Sequence, residues 1–301
     1  MKSELTIFTC SIYPDVTRIW FHCLKKVLRQ DRAVVIYDSS GLLEPKYFPG
    51  AKIILHPNVE HGKKIDHFVS NHLETKYFLL LDDDAFLTSS HVIDVGLEWI
   101  ADSADNVIFS FKPRPWWSIK VNGVDHLAMG SYALLVKAFP LIDNKLSFSS
   151  QKTNRKEIRN GSGYYDTADF INEYLLKQGY AIRIAPPELM DLVPTFFGTS
   201  SGFLGLYRNS FFSKRMKKRG ADEIKRFVMN NTYNLQRAAS LIFVNHIYRQ
   251  VFGEDALYKD FMSLEHLEKI VIESGKQDFI LFFIETIRKY RVIEEQILTI
   301  K

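Results

Sequence analysis

The sequence predicts an α/β protein: a mostly parallel sheet over the first two thirds of the chain, then a helical C-terminal extension. Three observations carry this. Over the first 110 residues, short β-rich apolar runs alternate with stretches of helical periodicity. Those runs stop at turn signals, of which Asp38-Ser39-Ser40-Gly41 is the clearest. After Gly205 the apolar residues recur almost wholly at helical spacing. The division expected is therefore a catalytic part over 1–204 and a helical extension over 205–301.

The elements follow in order. Residues 5–9 read as a first strand, and 15–29 as a helix with Ile19, Trp20, Cys23, Leu24, Val27 and Leu28 on one face. Strands over 34–37 and 52–55 come next, then a helix over 61–73. Residues 77–81 (Tyr-Phe-Leu-Leu-Leu) are apolar throughout, as a strand covered on both faces must be. Thr88 or Ser89 is placed to cap a helix over 92–100, and 107–111 makes a fifth strand. Pro113-Arg114-Pro115-Trp116-Trp117 forbids a helix. Residues 132–136 read as a strand, 147–163 as a long polar loop, 167–178 as a helix stopped by Gly179, and 180–184 as a strand. Apolar stripes then span 222–252, a shorter segment after Ser263, and 277 to the end.

Composition narrows the function classes. The chain has 301 residues, 46% hydrophobic and 25% charged, enough to bury a large core. Its apolar runs fall well short of the roughly 18–20 residues a spanning helix needs, and its first residues lack signal-peptide anatomy. With two cysteines, Cys10 and Cys23, a reduced cytoplasmic setting is expected. The net charge of +4 conceals one patch: residues 205–226 alone carry +6.

The sharpest chemical signal is Asp82-Asp83-Asp84, directly after the apolar strand, where open α/β sheets bind ligands. Alternation there lets Asp82 and Asp84 share a face while Asp83 turns away. Two converging carboxylates call for a cation, and Mg²⁺ or Mn²⁺ bridging to a diphosphate is the natural occupant. Upstream, His61-Gly62-Lys63-Lys64-Ile65-Asp66 opens a helix. Its glycine permits close backbone approach, its free N–H groups suit an anion, and Lys63 or Lys64 adds charge for phosphate.

On these residues the chain resembles bacterial family 2 glycosyltransferases of the GT-A fold. The resemblance rests on His61-Gly62 with Ile65-Asp66, on Tyr77-Phe78-Leu79-Leu80-Leu81-Asp82-Asp83-Asp84, and on Tyr165-Asp166-Thr167-Ala168 ahead of Gly179-Tyr180. It covers roughly residues 4–204 and implies a Rossmann-type nucleotide-binding sheet. It also implies that Thr9, Cys10 and Ser11 lie along the nucleotide, that Asp38 meets the base or ribose, and that Asp66 meets the base. His61, Gly62, Lys63 and Asp83 complete the expected nucleotide-sugar-binding set. Asp82 would reach the ribose or a metal-bound water, Asp84 the metal, and Asp166 or Asp169 would be the general base. Two departures stand out: Ala168 replaces a glycine, and Phe196-Phe197-Gly198-Thr199 stands where the family carries a further metal-binding histidine.

The activity implied is metal-dependent, inverting transfer of a sugar from a nucleotide-sugar donor to a glycan or polyprenyl-diphosphate-linked acceptor, in surface polysaccharide or glycoconjugate assembly. Asp166 is favoured over Asp169 as base, although both also suit a helix start. Trp116 and Trp117 could stack on sugars. Lys152, Arg155, Lys156 and Arg159 could close over the leaving diphosphate. The 205–226 patch, with Phe211, Phe212 and Met216 among its cations, suits peripheral contact with an anionic membrane better than nucleic acid. The rival reading is a nucleotidyltransferase acting on a sugar phosphate, but Thr9-Cys10-Ser11-Ile12-Tyr13-Pro14 lacks the glycine-rich loop such enzymes carry after the first strand.

Overall fold

A computed structural model of the chain describes residues 4–28, 32–153, 164–210, 213–259 and 261–300, without the side chains of 115–117, 210, 213 and 214. The first elements are β1 (Leu5–Ser11), α1 (Pro14–Val27), β2 (Ala33–Asp38), β3 (Ala51–Leu55), α2 (His61–Asn71), β4 (Tyr77–Leu81), α3 (His91–Asp102) and β5 (Asn106–Ser110). Next come β6 (Pro113–Val121), β7 (Val124–Met129), β8 (Ala133–Lys137), α4 (Ala138–Asp143), β9 (Gln151–Lys152) and β10 (Tyr164–Tyr165). Then follow α5 (Asp169–Lys177), β11 (Ala181–Ile184), α6 (Pro187–Met190) and α7 (Thr199–Leu206). The C-terminal part holds β12 (Tyr207–Ser210), β13 (Ser213–Lys218), α8 (Ala221–Asn230), α9 (Thr232–Phe252), α10 (Leu264–Glu273) and α11 (Gln277–Leu298).

The α/β class expected from the sequence is the class observed. One seven-stranded sheet has the order β11-β5-β8-β4-β1-β2-β3, and it contains all seven strands read from the apolar runs. Neighbours are parallel except at β8, which is antiparallel to both β4 and β5. After β5 the chain leaves through the β6–β7 hairpin and returns in the opposite sense, so the start of β8 meets the end of β4. The hairpin turns at Asn122 and Gly123, both at positive φ (51° and 82°), the conformation a tight hairpin turn needs.

β4 shows why its sequence is apolar throughout. Leu79 and Leu81 face one hydrophobic cluster, shared with α1, α3 and the C-terminal helices. Phe78 and Leu80 face the other, shared with α2, α4 and α5. Gly179 ends α5 at φ 84°, with Tyr180 N–H donating to Leu175 O at 3.0 Å, as a C-terminal glycine should.

Three expectations are corrected. The boundary expected at 204/205 falls inside α7, and one continuous apolar cluster joins the sheet to α9 and α11. Asp15 on α1 accepts the amides of Leu257 (2.9 Å) and Tyr258 (3.1 Å), which ties the two parts further. Residues 207–210 and 213–218 pair antiparallel as β12 and β13 rather than forming a helix, and Met216 packs on the core. The stripe over 222–252 is two helices, because Asn231 is extended and its side chain accepts Asn234 N–H at 2.8 Å, capping α9. Among the described residues no helix is long and apolar enough to cross a membrane.

Candidate functional site

The chemistry-bearing residues gather at the carboxyl ends of the parallel strands, where such sheets leave a crevice. β4 ends at Leu81, and Asp82 N–H donates to Tyr132 O at 2.9 Å, placing the start of β8 beside the acidic turn. The three aspartates then divide as pleating dictates. Asp83 is 4% exposed, accepts Thr17 Oγ1 at 3.1 Å and lies 3.5 Å from Ser200 Oγ. Burial, then the charges of Asp84 and Asp82, push its pKa well up, favouring the neutral acid. The expectation that it contacts a nucleotide sugar is therefore corrected: its carboxyl is turned into the fold.

Asp82 and Asp84 are differently placed. Asp84 Oδ2 accepts the amide of Thr199 at 3.0 Å, at the start of α7, where helix-end N–H groups favour an anion. Even so, burial and the neighbouring charge of Asp82 raise its pKa to about 7. Oδ1 of Asp82 is buried without a hydrogen-bond partner and lies 3.3 Å from His61 Nε2. Burial disfavours the His61 cation, yet Asp82 and the adjacent Cys10 thiol raise its pKa well above the ordinary value. These two carboxylates stand on one side of the turn, Asp82 met by His61 and Asp84 by the Thr199 amide, and carboxylate oxygens are donors of the kind a hard divalent cation takes. Among the described residues no group of three His, Cys, Asp or Glu is arranged to hold a metal. Thr199, in the segment after Phe196-Phe197-Gly198, supports Asp84.

Several expected nucleotide contacts are structural. Thr9 and Ser11 are 0% exposed, covered on both sheet faces, and Ser11 Oγ shares a 2.6 Å bond with Thr17 Oγ1. Cys10 is also buried, between His61 and Lys64. Asp38 is spent on its own turn: Oδ1 accepts Ser40 N–H (2.8 Å), Ser40 Oγ (2.6 Å) and Gly41 N–H (2.9 Å), and Oδ2 accepts Leu43 N–H (3.1 Å). Asp66 clamps another segment, accepting Ser147 Oγ (2.6 Å), Phe148 N–H (2.7 Å) and Ser149 Oγ (2.7 Å).

Gly62 is required by this same segment. A Cβ there would stand 2.4 Å from Phe148 O and 2.6 Å from Ser149 Cα. The backbone that approaches α2 is the protein's own, not a ligand's. Glu60 accepts the Ser150 amide at 2.5 Å, so residues 147–150 cover the first turn of α2. Lys63 is exposed, whereas Lys64 is 2% exposed, donates to Asn58 Oδ1 at 3.0 Å and feels Asp82 and Asp83. The inward lysine is thus Lys64.

The other pair, Asp166 and Asp169, separates in the same way. Asp169 has no exposed side-chain surface. It forms an ion pair with Arg114, and its Oδ2 accepts Asp166 N–H at 2.8 Å. Arg114, itself 5% exposed, also donates to Ser131 Oγ (3.1 Å) and Thr167 O (2.8 Å). Asp166 keeps 44% of its side chain exposed, 3.7 Å from Arg114, and accepts Thr167 N–H at 2.9 Å. The side chain of Asp169 is enclosed, whereas that of Asp166 faces solvent. Tyr132 links this region to the acidic turn: its pKa is pushed up by burial and by Asp82, with Arg114 opposing. Ala168 is held at φ 66°, a left-handed conformation that explains a glycine at that position.

Arg114 and Tyr132 lie among these residues, and sequence reasoning did not single them out; of the two lysines it offered, Lys64 is the inward one. Lys152 is exposed on the strand pairing with Tyr164 and Tyr165. Arg155, Lys156 and Arg159, with Phe211 and Phe212, lie outside the described residues, as do the side chains of Trp116 and Trp117.

No protein-family model matches the chain, and no curated protein matches it. Among solved structures it is similar to S. aureus TarS 1–349, with TM-score 0.40 and 14% identity over 98% of this chain and 90% of that one. It is similar also to mannosyltransferase PcManGT from Pyrobaculum calidifontis, in complex with GDP-Man and Mn²⁺, with TM-score 0.43 and 8% identity over 99% and 84%. A third likeness is 4-diphosphocytidyl-2C-methyl-D-erythritol synthase, with TM-score 0.39 and 12% identity over 62% and 95%.

Proposed function

We propose that this chain is a metal-dependent inverting glycosyltransferase that moves a sugar from a nucleotide-sugar donor to a glycan or lipid-linked glycan acceptor. The observation that carries the reading is the Asp82–Asp84 pair directly after β4, two carboxylates close enough that the charge of Asp82 helps raise the pKa of Asp84, with one Asp82 oxygen buried beside His61. Asp82 and Asp84 would hold Mn²⁺ or Mg²⁺, which when bound supplies charge to offset the departing diphosphate. Lys64 and His61 add positive charge to the same rim.

Asp166 is the proposed base. It is half-exposed and its orientation is fixed by Thr167 and Arg114, so it is placed to take the proton of an acceptor hydroxyl. Asp169 holds Arg114 and through it the position of Asp166. Exposed Arg215, Lys217 and Lys218 on β13 support peripheral contact with an anionic surface on the cytoplasmic side.

A panel of nucleotide sugars with and without Mn²⁺, read by thermal melting and by release of free sugar, tests the reading. One donor at 100 times its dissociation constant should add about 2.7 kcal/mol of stability, with Mn²⁺ present only. No metal-dependent shift with any nucleotide sugar would sink it.

A further inference from the structure

We infer that Phe197, Tyr233 and Arg237 form a stacking subsite for a pyranose ring of the acceptor saccharide, beside the acidic turn; the inference rests on the glycosyltransferase reading above. Residues 194–196 run antiparallel to 84–86, where Phe86 N–H donates to Pro194 O at 2.9 Å and Phe196 N–H to Asp84 O at 3.1 Å. Extended backbone sends successive side chains opposite ways. Phe196 goes inward, 3% exposed, against Phe86 and Tyr290. Phe197 goes outward, 37% exposed, and stacks on Tyr233 at the start of α9, itself 59% exposed. Their ring centroids are 5.5 Å apart and their planes differ by 28°.

This pair of rings is held against the proposed metal site. The Phe197 amide donates to Tyr290 Oη at 3.0 Å, and two residues on the Thr199 amide donates to Asp84 Oδ2 at 3.0 Å. Chain length alone therefore keeps the Phe197 Cα within about 10 Å of that carboxylate. Arg237, one turn along α9 from Tyr233, stands at the edge of the rings, its guanidinium carbon 5.7 Å from the Phe197 centroid. Nη1 donates to Asn234 Oδ1 at 3.1 Å, a neutral amide rather than a carboxylate, and Nε is buried without a hydrogen-bond partner. Gly198, at φ 58°, lets this side chain lie across the backbone ahead of α7, since a Cβ there would stand 3.1 Å from Arg237 Nε.

Exposed rings with a multiple donor at their edge suit a ligand with an apolar face and a polar rim. A pyranose has that form: its C–H face meets the negative face of an aromatic ring, and its hydroxyl oxygens accept from guanidinium N–H groups. A nucleobase also stacks, but connectivity places it elsewhere, because a ribose separates it from the phosphates that the metal would hold. The donor's sugar arrives tethered to those phosphates. The acceptor has no such tether and needs a surface beside them that orients it.

The experiment is saturation-transfer NMR of the full chain titrated with methyl β-glucopyranoside, methyl β-galactopyranoside and methyl N-acetyl-β-glucosaminide, repeated on Tyr233→Ala and Tyr233→Trp. Tyr233 is exposed, so both variants should keep the wild-type melting temperature. At least one pyranoside is expected to bind the wild type through its C–H protons, about tenfold more weakly in Tyr233→Ala, with binding kept in Tyr233→Trp. No pyranoside contact with the wild type, or contact undiminished in Tyr233→Ala, overturns the inference. Nucleosides that show the Tyr233-dependent contact instead make the rings a base site, and displacement of the pyranoside by a nucleotide sugar makes them part of the donor site; either overturns it. Nucleotide binding in Mn²⁺ is followed in the same samples. Its persistence while the pyranosides fail removes the subsite alone, whereas its absence from the wild type sinks the glycosyltransferase reading and the subsite with it.

Discussion

Two pairs of aspartates stand near the carboxyl edge of the same sheet and are treated differently by the fold. Asp38 and Asp66 are surrounded by donors from their own loops, with hydrogen bonds of 2.6–3.1 Å to Ser40, Gly41, Leu43, Ser147, Phe148 and Ser149. Asp82 and Asp84 repel one another, and one Asp82 oxygen is buried without a hydrogen-bond partner. The first pair holds loops. The second pair meets fewer donors, His61 at 3.3 Å from Asp82 and the Thr199 amide at 3.0 Å from Asp84, and under the proposed function a bound cation would offset its charge. Position along the sequence does not separate the pairs; the number of donors each carboxylate meets does.

The sharpest break of this contrast comes from the acceptor side, where the same division recurs. Asp169→Asn removes the closer charge partner of buried Arg114, leaving Asp166 at 3.7 Å, and should cost about 3 kcal/mol in chemical denaturation. Asp166→Asn should leave stability within about 1 kcal/mol while lowering transfer about 10²- to 10⁴-fold with donor binding retained. A variant of Asp169 that is stable but inactive, beside an active Asp166→Asn, would reverse the assignment.

Asp38→Ala comes next in size. Removing a carboxylate that accepts four hydrogen bonds should destabilise the chain by about 2–4 kcal/mol, measured by urea melting. Asp84→Asn should not destabilise it at neutral pH, since it removes an undercompensated charge. Equal losses from both variants would erase the distinction between loop-holding and ligand-holding aspartates.

A gentler test uses pH. The folded pKa of Asp84 is raised, so between the unfolded value near 4 and about 7 the folded state binds the extra proton. Its contribution to the stability of the metal-free protein is therefore present at low pH and lost as pH rises through that window. Metal must displace that proton, so Mn²⁺ affinity should fall about tenfold per pH unit below about 7. Flat affinity between pH 5.5 and 7 would mean that Asp84 does not ligate.

Much of this was legible in the sequence, for reasons that also explain the gaps. The inner strands β1, β2, β4, β5 and β8 are short apolar runs because they are covered on both faces, while edge strands β3 and β11 are partly exposed, and the Asp82–Asp84 alternation follows from strand geometry alone. Strand order and the reversal of β8 depend on pairing across the fold and leave no local trace. Asn122-Gly123 was an available hairpin signal that the Pro-rich stretch before it obscured. Thr9 and Ser11 look like ligand contacts because small polar residues end a strand, but their neighbours cover them. Arg114 carries no motif: its partner Asp169 lies 55 residues away, and only folding joins them. The β12–β13 hairpin hides behind a run of cations whose alternation is broken by Lys217-Lys218.

The most direct measurement is calorimetric titration of UDP, GDP, CDP and ADP into the wild type and Asp84→Asn, with Mn²⁺ and with EDTA. The account expects one nucleotide to bind the wild type in Mn²⁺ and to lose at least 100-fold in affinity, about 2.7 kcal/mol, in EDTA or in Asp84→Asn. Nucleotide affinity that is the same in Mn²⁺ and EDTA, or unchanged in Asp84→Asn, would contradict it.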